Sequence, residues 1–170
     1  MAPEPKLDSR YSDPVATAIS WQDAQNRLAD AETAWLVTVR PDGRPHSTPL
    51  VTVWHEGKVY FHTGEREQKM ANLRQNPQVL VMAGDTRWDA GVDIAVEGVA
   101  RQVTDQAVLQ AIADLYAKRW DGRWELTVGE GGFVDAGSGG VQSVPFEVTP
   151  TKVYAYAKGD PFGQTSYQMP

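Results

Sequence analysis

The sequence predicts an α+β domain built around a small antiparallel β-barrel of about six strands. Short segments with alternating apolar residues follow one another from Ala34 onward, and turn sequences such as 41–43 separate them. Two helical patterns interrupt this meander, one after the third strand and one before the last. Strands joined by tight turns pair in antiparallel fashion, so the pattern favours a small barrel with flanking helices.

Composition restricts the function classes. The 170 residues are 41% hydrophobic, which suits one globular domain, and 16 basic against 22 acidic residues leave a net charge of −6. This charge disfavours nucleic acid and anionic membrane surfaces as partners. The chain has no cysteine, which excludes disulfides, a thiol nucleophile and cysteine-ligated metals. With no apolar segment of bilayer length, a cytoplasmic location is expected.

The N-terminal part divides into an arm and the start of a domain. Residues 1–19 contain three prolines among charged residues and are predicted to be a loosely held arm, with the folded domain spanning 20–170. Ser20, with Asp23 three residues later, has the features of a helix N-cap. Helical spacing of Trp21 and Leu28 predicts a short amphipathic helix that ends near residue 31.

Three strands form the predicted meander that follows. Residues 35–39 alternate as a strand, 41–43 are turn residues, and 45–54 form a second strand. A third strand is predicted over 59–63. Gly64 ends it, and helical spacing then predicts a helix over 65–75 with Met70 and Leu73 on its buried side.

The C-terminal half continues with strands over 78–83 and 92–103, the latter bent or bulged at Gly98. A helix over 105–120 buries one stripe of side chains, formed by Val108, Ile112, Leu115 and Tyr116. The glycine-rich stretch 129–140 lacks the Gly-Lys-Ser/Thr of a phosphate-binding loop and is predicted to be a mobile loop. The last strand spans about 144–156, broken at Pro150.

The second strand carries the first candidate ligand-binding residues. The alternative is that His46, Ser47 and Thr48 are ordinary water-exposed residues at the start of a strand, and the pattern alone favours this alternative. Pro49 is more informative, because proline is kept at sheet edges or bulges. A barrel that opens at Pro49 leaves backbone groups free for a flat ligand.

The segment from strand to helix at Gly64 is the second candidate. Free N–H groups in the first turn of a helix favour anions, and Arg66 and Lys69 lie on the same side of that turn. These two residues are a candidate phosphate clamp. The alternative is a solvated helix face on which they pair weakly with Glu65 and Glu67, and the pattern alone favours this alternative.

No constellation of side chains predicts catalysis without a cofactor. The three histidines lack metal-ligand spacing, so a protein-held metal is not expected, and neither a Ser-His-Asp set nor a pair of carboxylates is evident. A cofactor-dependent enzyme fits this pattern, because the cofactor carries the difficult chemistry and the protein binds and orients it.

The meander over 35–51, the strand 59–64 and the segment 68–73 resemble the pyridoxamine 5′-phosphate oxidase-like split β-barrel superfamily. The resemblance is strongest to the flavin and deazaflavin oxidoreductases of actinobacteria. It covers about residues 34–104 and 144–167, and the segment 153–165 is similar to a C-terminal segment common in that group.

The resemblance implies a six-stranded antiparallel split β-barrel that forms a homodimer, with FMN or the deazaflavin coenzyme F-420 bound in two clefts at the interface. One set of residues would line or flank the cofactor ring, namely His46, Ser47, Thr48, Pro49, Phe61, His62 and Thr63. Another set would lie near its phosphate, namely Gln68, Lys69 and Asn72. Trp88 would cover the ring, although a lone loop tryptophan is more often a packing residue.

The tail departs from the pattern of this subgroup. Residues 166–169 read Ser-Tyr-Gln-Met where relatives carry an arginine and a further aromatic or basic residue, and the basic C terminus of a true pyridoxamine phosphate oxidase is missing. Vitamin-phosphate oxidation is therefore disfavoured. The resemblance implies an oxidoreductase that transfers a hydride between the cofactor and a small conjugated substrate. The alternative is a flavin- or haem-binding carrier without turnover.

Overall fold

A computed structural model describes residues 2–135 and 141–170 and confirms the α+β class. The described residues form three α-helices, which are α1 (Trp21–Asp30), α2 (Gln68–Leu73) and α3 (Gln106–Arg119). They also form eleven strands, which are β1 (Lys6–Leu7), β2 (Ala34–Val39), β3 (Pro45–Leu50), β4 (Val53–His55), β5 (Lys58–Gly64), β6 (Gln78–Ala83), β7 (Val92–Gln102), β8 (Leu126–Gly129), β9 (Gly132–Asp135), β10 (Val141–Ala157) and β11 (Gly163–Gln168). None of the described helices has the length and apolar character required to span a membrane.

All strand pairs among the described residues are antiparallel, in the order β1-β11-β10-β7-β6-β2-β3. Strand β5 pairs with both β4 and β10, and the hairpin β8–β9 pairs with β10 through β9. Within the described chain β3 pairs with β2 alone, so these strands do not close into a complete barrel. This free edge is where Pro49 lies, as expected for a strand proline.

Strand β10 changes partner along its length. One of its edges pairs first with β9 and then with β7, and the other pairs first with β5 and then with β11. The register against β7 shifts between Pro150 and Lys152, opposite Gly98. A Cβ atom on Gly98 would lie 2.6 Å from the carbonyl oxygen of Thr149. The predicted irregularity is thus a bulge on β10, and Gly98 allows the two backbones to approach.

The N-terminal arm is held more firmly than the sequence predicts. Lys6 and Leu7 pair with β11, and the N–H of Asp13 donates to the carbonyl oxygen of Phe162 at 2.9 Å. The prediction of a loosely held arm is therefore wrong for residues 6–13. The reason is the unpredicted strand β11, whose free edge pairs with these residues. Helix α1 begins as predicted, with the Ser20 hydroxyl accepting from the N–H of Asp23.

Three further predictions need correction. The second strand ends at Leu50, and the chain resumes as β4, which pairs with β5 instead of β2. Helix α2 begins at Gln68 instead of residue 65, because 65–67 form a turn. The stretch 129–140 is not wholly a loop, since β9 lies within it, and residues 136–140 are outside the described residues.

Buried side chains form two clusters on opposite faces of β5. The larger one fills the space between the curved sheet and helices α1 and α2. The smaller lies between α3 and the strands β4, β5, β8 and β9. Helix α3 presents Ile112 and Tyr116 to this second cluster as predicted, but Leu109 and Ala113 are buried with them while Val108 and Leu115 are only partly buried.

We expect Gly98→Ala to lower the free energy of unfolding by about 1–3 kcal/mol, because the added methyl overpacks against the β10 backbone. Urea unfolding measures this loss. Gly129→Ala is the matched control, since its Cβ would meet nothing closer than 3.5 Å, and we expect a change below about 1 kcal/mol. Equal losses in the two variants would show that close approach at the bulge is not what Gly98 provides.

Candidate functional site

A cavity of about 530 Å³ opens where the sheet is interrupted between β3 and β5. Its volume lies within the range of small-molecule sites, roughly 300–1,000 Å³. The end of β3 and the linker to β4 form one wall, and the end of β5 forms the other. The lining residues are Thr33, Pro49, Leu50, Val51, His62, Thr63, Gly64, Glu67, Trp124 and Ser143.

Strand register decides which side chains reach this cavity from β5 and β10. Ser143 pairs with Gly64 on one side and with Phe133 on the other, and His62 pairs with Pro145. Because side chains alternate, His62, Ser143 and Phe133 lie on the face that looks toward α3. Thr63 belongs to the opposite face and reaches the cavity from the main-core side.

Aromatic rings surround His62. Its ring lies 5.5 Å from that of Tyr116, 5.9 Å from that of Trp124 and 5.9 Å from that of Phe133, all edge-on. Burial raises the pKa of Tyr116, so its hydroxyl stays protonated and donates to the Val51 carbonyl oxygen at 3.1 Å. This bond ties α3 to the cavity wall at the break between β3 and β4.

Lys69 is paired with a carboxylate at the rim of the cavity. It is 8% exposed and its Nζ donates to the Glu67 carboxylate, which also accepts from the N–H of Gly64 at 2.7 Å. Burial alone would raise the pKa of Glu67, but the hydrogen bonds from Lys69 and Gly64 and the charge of Lys69 hold it below its usual value. The alternative of a solvated helix face therefore does not hold for Lys69, which is buried and paired with Glu67.

Asn72 is fully buried and links α2 to the sheet. Its amide donates to the hydroxyl of Thr38 on β2 at 2.8 Å and accepts from Gln68 at 2.8 Å. The Thr38 hydroxyl in turn donates to the carbonyl oxygen of His46 at 3.4 Å. Asn72 thus holds α2 against β2 and β3, and it does not line the cavity.

Three polar atoms in or beside the cavity are buried without a hydrogen-bond partner in the described part of the chain. They are His46 Nδ1, Thr48 Oγ1 and Ser143 Oγ. Burial, and then the charges of Arg40 and Lys69, lower the pKa of His46, so its imidazole is neutral at pH 7. Unsatisfied buried polar atoms are costly, so these atoms suit a ligand that supplies donors and acceptors, as a flavin-type ring and its side chain do.

The structure brings together some of the predicted ligand-binding residues and separates others. Pro49, His62 and Thr63 line the cavity. His46, Ser47 and Thr48 precede Pro49 on β3. Phe61 lies instead in the main core, stacked on Phe146 at 5.4 Å. Trp88 is 74% exposed on a loop and does not line the cavity.

Sequence reasoning missed Val51, Glu67, Trp124 and Ser143 as cavity residues. Ser143 is a small polar residue at an inward position of an apolar strand, which is a signal that the sequence contains. Trp124 follows α3 in a loop, and its position depends on tertiary packing. Among the described residues, no cluster of three or more potential ligand side chains could hold a metal ion.

Comparison with known proteins identifies the family to which this fold belongs. The family model for pyridoxamine 5′-phosphate oxidase matches residues 20–157. The chain belongs to the pyridoxamine 5′-phosphate oxidase family. Strand β11 and the N-terminal residues that pair with it lie outside the matched region.

Solved structures share the fold of this family member at low sequence identity. A conserved hypothetical protein of Mycobacterium tuberculosis is 19% identical over 89% of each chain, with a TM-score of 0.68. An FMN-binding, pyridoxamine 5′-phosphate oxidase-related protein of Nostoc punctiforme is 19% identical over 88% of each chain, with a TM-score of 0.60. An F420 reductase is 22% identical over 76% of this chain and 94% of its own, with a TM-score of 0.55.

We expect His46 to make the fold less stable in mild acid. Its pKa is below 6.5 in the folded state, so the unfolded chain binds the proton first and stability falls as the pH drops below about 6.5. His46→Asn should reduce this loss in urea unfolding between pH 8 and pH 5. His55→Asn, at the end of β4, controls for removal of a histidine. A wild-type pH slope in His46→Asn would contradict the assignment.

Proposed function

We propose that the protein is an oxidoreductase that binds coenzyme F-420 or FMN in the cleft between β3 and β5. The transfer would be of a hydride between this cofactor and a small conjugated organic molecule. The observation that carries the proposal is the cavity itself, which lies at the gap in the sheet. Ser143 Oγ in its lining, and Thr48 Oγ1 and His46 Nδ1 on the adjoining strand β3, have no hydrogen-bond partner among the described residues. Membership of a family that includes cofactor-binding oxidoreductases supports it.

The residues of the cleft would bind and orient the reactants. Pro49, Leu50 and Val51 offer a mostly apolar wall for a flat ring, while Thr48 and His46 offer hydrogen bonds beside it. The cofactor supplies the hydride chemistry. In the reduction, one carbon of the substrate double bond gains the hydride and its neighbour gains a proton from water, so the two electrons come from the reduced cofactor.

The cofactor phosphate would be bound near Lys69. The charges of Arg40 and Lys69 both contribute to lowering the pKa of His46, after burial, so two basic side chains lie near the β3–α2 side of the cleft. A phosphate carries more charge than the Glu67 carboxylate and would compete with it for Lys69. Glu67 is half-exposed and can turn toward water when it is displaced.

A homodimer would complete the cleft. Trp35, 54% exposed, pairs across the sheet with Met82, 42% exposed, and with Pro49 on its other side, so the three lie on one outward face. Large exposed apolar side chains on a sheet face are typical of interaction sites. Because Pro49 also lines the cavity, a second copy on this face would cover the cavity rim.

The cofactor proposal is tested by titrating the purified protein with FMN and with coenzyme F-420, followed by fluorescence quenching. Lys69→Ala should weaken binding by about 10- to 100-fold, because a charge-assisted bond contributes roughly 1.5–3 kcal/mol. Arg66→Ala is the control and should change less, since Arg66 is exposed. Glu67→Gln should strengthen binding, because it removes the competing charge.

Wild-type affinity in Lys69→Ala at low salt would contradict the phosphate assignment. Assays of the reduced complex with conjugated acceptors then test turnover. A protein that binds the cofactor tightly and never oxidises it would be a carrier, and the oxidoreductase proposal would be wrong.

The homodimer is tested by sedimentation velocity at micromolar concentration. We expect a dimer for the wild type and a monomer for Trp35→Lys, since a charge in the centre of an apolar interface is costly. Tyr11→Lys alters an exposed aromatic residue outside this face and should leave the dimer intact. A stable wild-type monomer that still binds cofactor would refute the interface model.

A further inference from the structure

The hydroxyl of Ser143 is a buried polar group of the cleft to which the proposed cofactor contacts assign no role. Ser143 is 7% exposed, lines the cavity, and its Oγ has no hydrogen-bond partner in the described residues. Its own backbone belongs to the ladders with β5 and β9, so the side chain is held in place by two neighbouring strands. An unpaired hydroxyl in a rigid wall is costly unless a ligand pairs with it.

The surroundings of Ser143 leave room for such a ligand. Gly64 lies directly opposite it and has no side chain, and a Cβ there would lie 3.1 Å from Glu67 Oε1. The half-buried indole of Trp124 forms the adjacent wall, held edge-on by His62 at 5.9 Å. This end of the cavity is therefore a slot with one aromatic wall and one hydroxyl group.

The charged residues that line the cavity indicate which class of ligand it can bind. Among the described lining residues Glu67 is the only carboxylate, and no lysine or arginine lines the cavity. Glu67 is already paired with Lys69, so an anionic ligand at this end would find no basic side chain in the described lining to pair with it. An uncharged flat molecule with an oxygen acceptor matches the slot best.

We propose that the Ser143–Trp124 end of the cleft is the substrate subsite, and that it takes a flat, uncharged enone whose carbonyl oxygen accepts a hydrogen bond from Ser143 Oγ. The ring of the enone would lie against Trp124. The catalytic part of this proposal rests on the proposed hydride transfer. When the double bond gains a hydride, negative charge develops on the carbonyl oxygen, and the Ser143 hydroxyl would stabilise that charge. As a binding site it stands on the geometry alone.

The test compares two probes of the same shape. Chromone is a flat bicyclic enone, and 4H-chromene has a methylene in place of its carbonyl group. Calorimetric titration of the full chain, with and without FMN, should show chromone binding about fivefold more tightly, as expected of one neutral hydrogen bond. Ser143→Ala should bind both probes equally, whereas Thr149→Val, which removes an exposed hydroxyl from the same strand, should keep the preference.

Trp124 is tested in the same titrations. Trp124→Leu should weaken both probes alike by about three- to tenfold, because contact with the indole does not depend on the carbonyl. Trp124→Phe should restore most of the affinity. Thermal melting of each variant shows whether it is folded before it is titrated.

The proposal would be wrong if the wild type bound chromone and 4H-chromene equally well, or if Ser143→Ala still bound chromone more tightly. Weakened FMN affinity in Ser143→Ala would also overturn it, because that result would assign the hydroxyl to the cofactor. Failure of the proposed function is distinguishable from these. A wild type that binds neither FMN nor coenzyme F-420 refutes the cofactor proposal, while the preference for chromone without FMN still decides the subsite.

Discussion

The bend in β10 is the constraint on which the rest of the molecule depends. The first half of this 17-residue strand pairs with β5 and β9, and its second half pairs with β11. Strand β7 pairs with parts of both halves. A straight strand could not pair with both sets of neighbouring strands in a twisted sheet. The extra residue at the Pro150–Lys152 register shift bends the strand, and the missing side chain of Gly98 allows β7 to follow.

The cleft follows from the same topology. Because β5 pairs with β10 and β4, and β3 pairs with β2, the chain must cross between two parts of the sheet at Val51 and Thr52. The backbone there is outside both ladders, and the Val51 carbonyl is satisfied by the Tyr116 hydroxyl of α3 instead. The cavity is thus the space left where two sheet segments meet without hydrogen bonding to each other.

The sequence predicts those features that depend on local pattern. The N-cap at Ser20, the strand β6 and the helix α3 come from caps and periodicity, and the edge position of Pro49 comes from proline chemistry. Features set by partners far along the chain were missed, such as the break after Leu50 and the strand β11. The burial of Lys69 beside Glu67 was also not predicted, because a charge pattern does not reveal burial.

Two separate cores hold the two sides of the cleft. Helix α2 is fixed to the main core by buried Asn72, whose bond to Thr38 sets the position of Lys69 and Glu67 against β3. Helix α3 belongs to the second core, where Tyr116 and Phe133 enclose His62 and set the position of Trp124. Among the described residues no buried side chain belongs to both clusters, so the two walls of the cleft are packed on separate sets of core residues. The Lys69–Glu67 ion pair lies at the first wall and aromatic groups lie at the second, which is the arrangement that the proposed anionic cofactor and the proposed neutral, flat substrate would require.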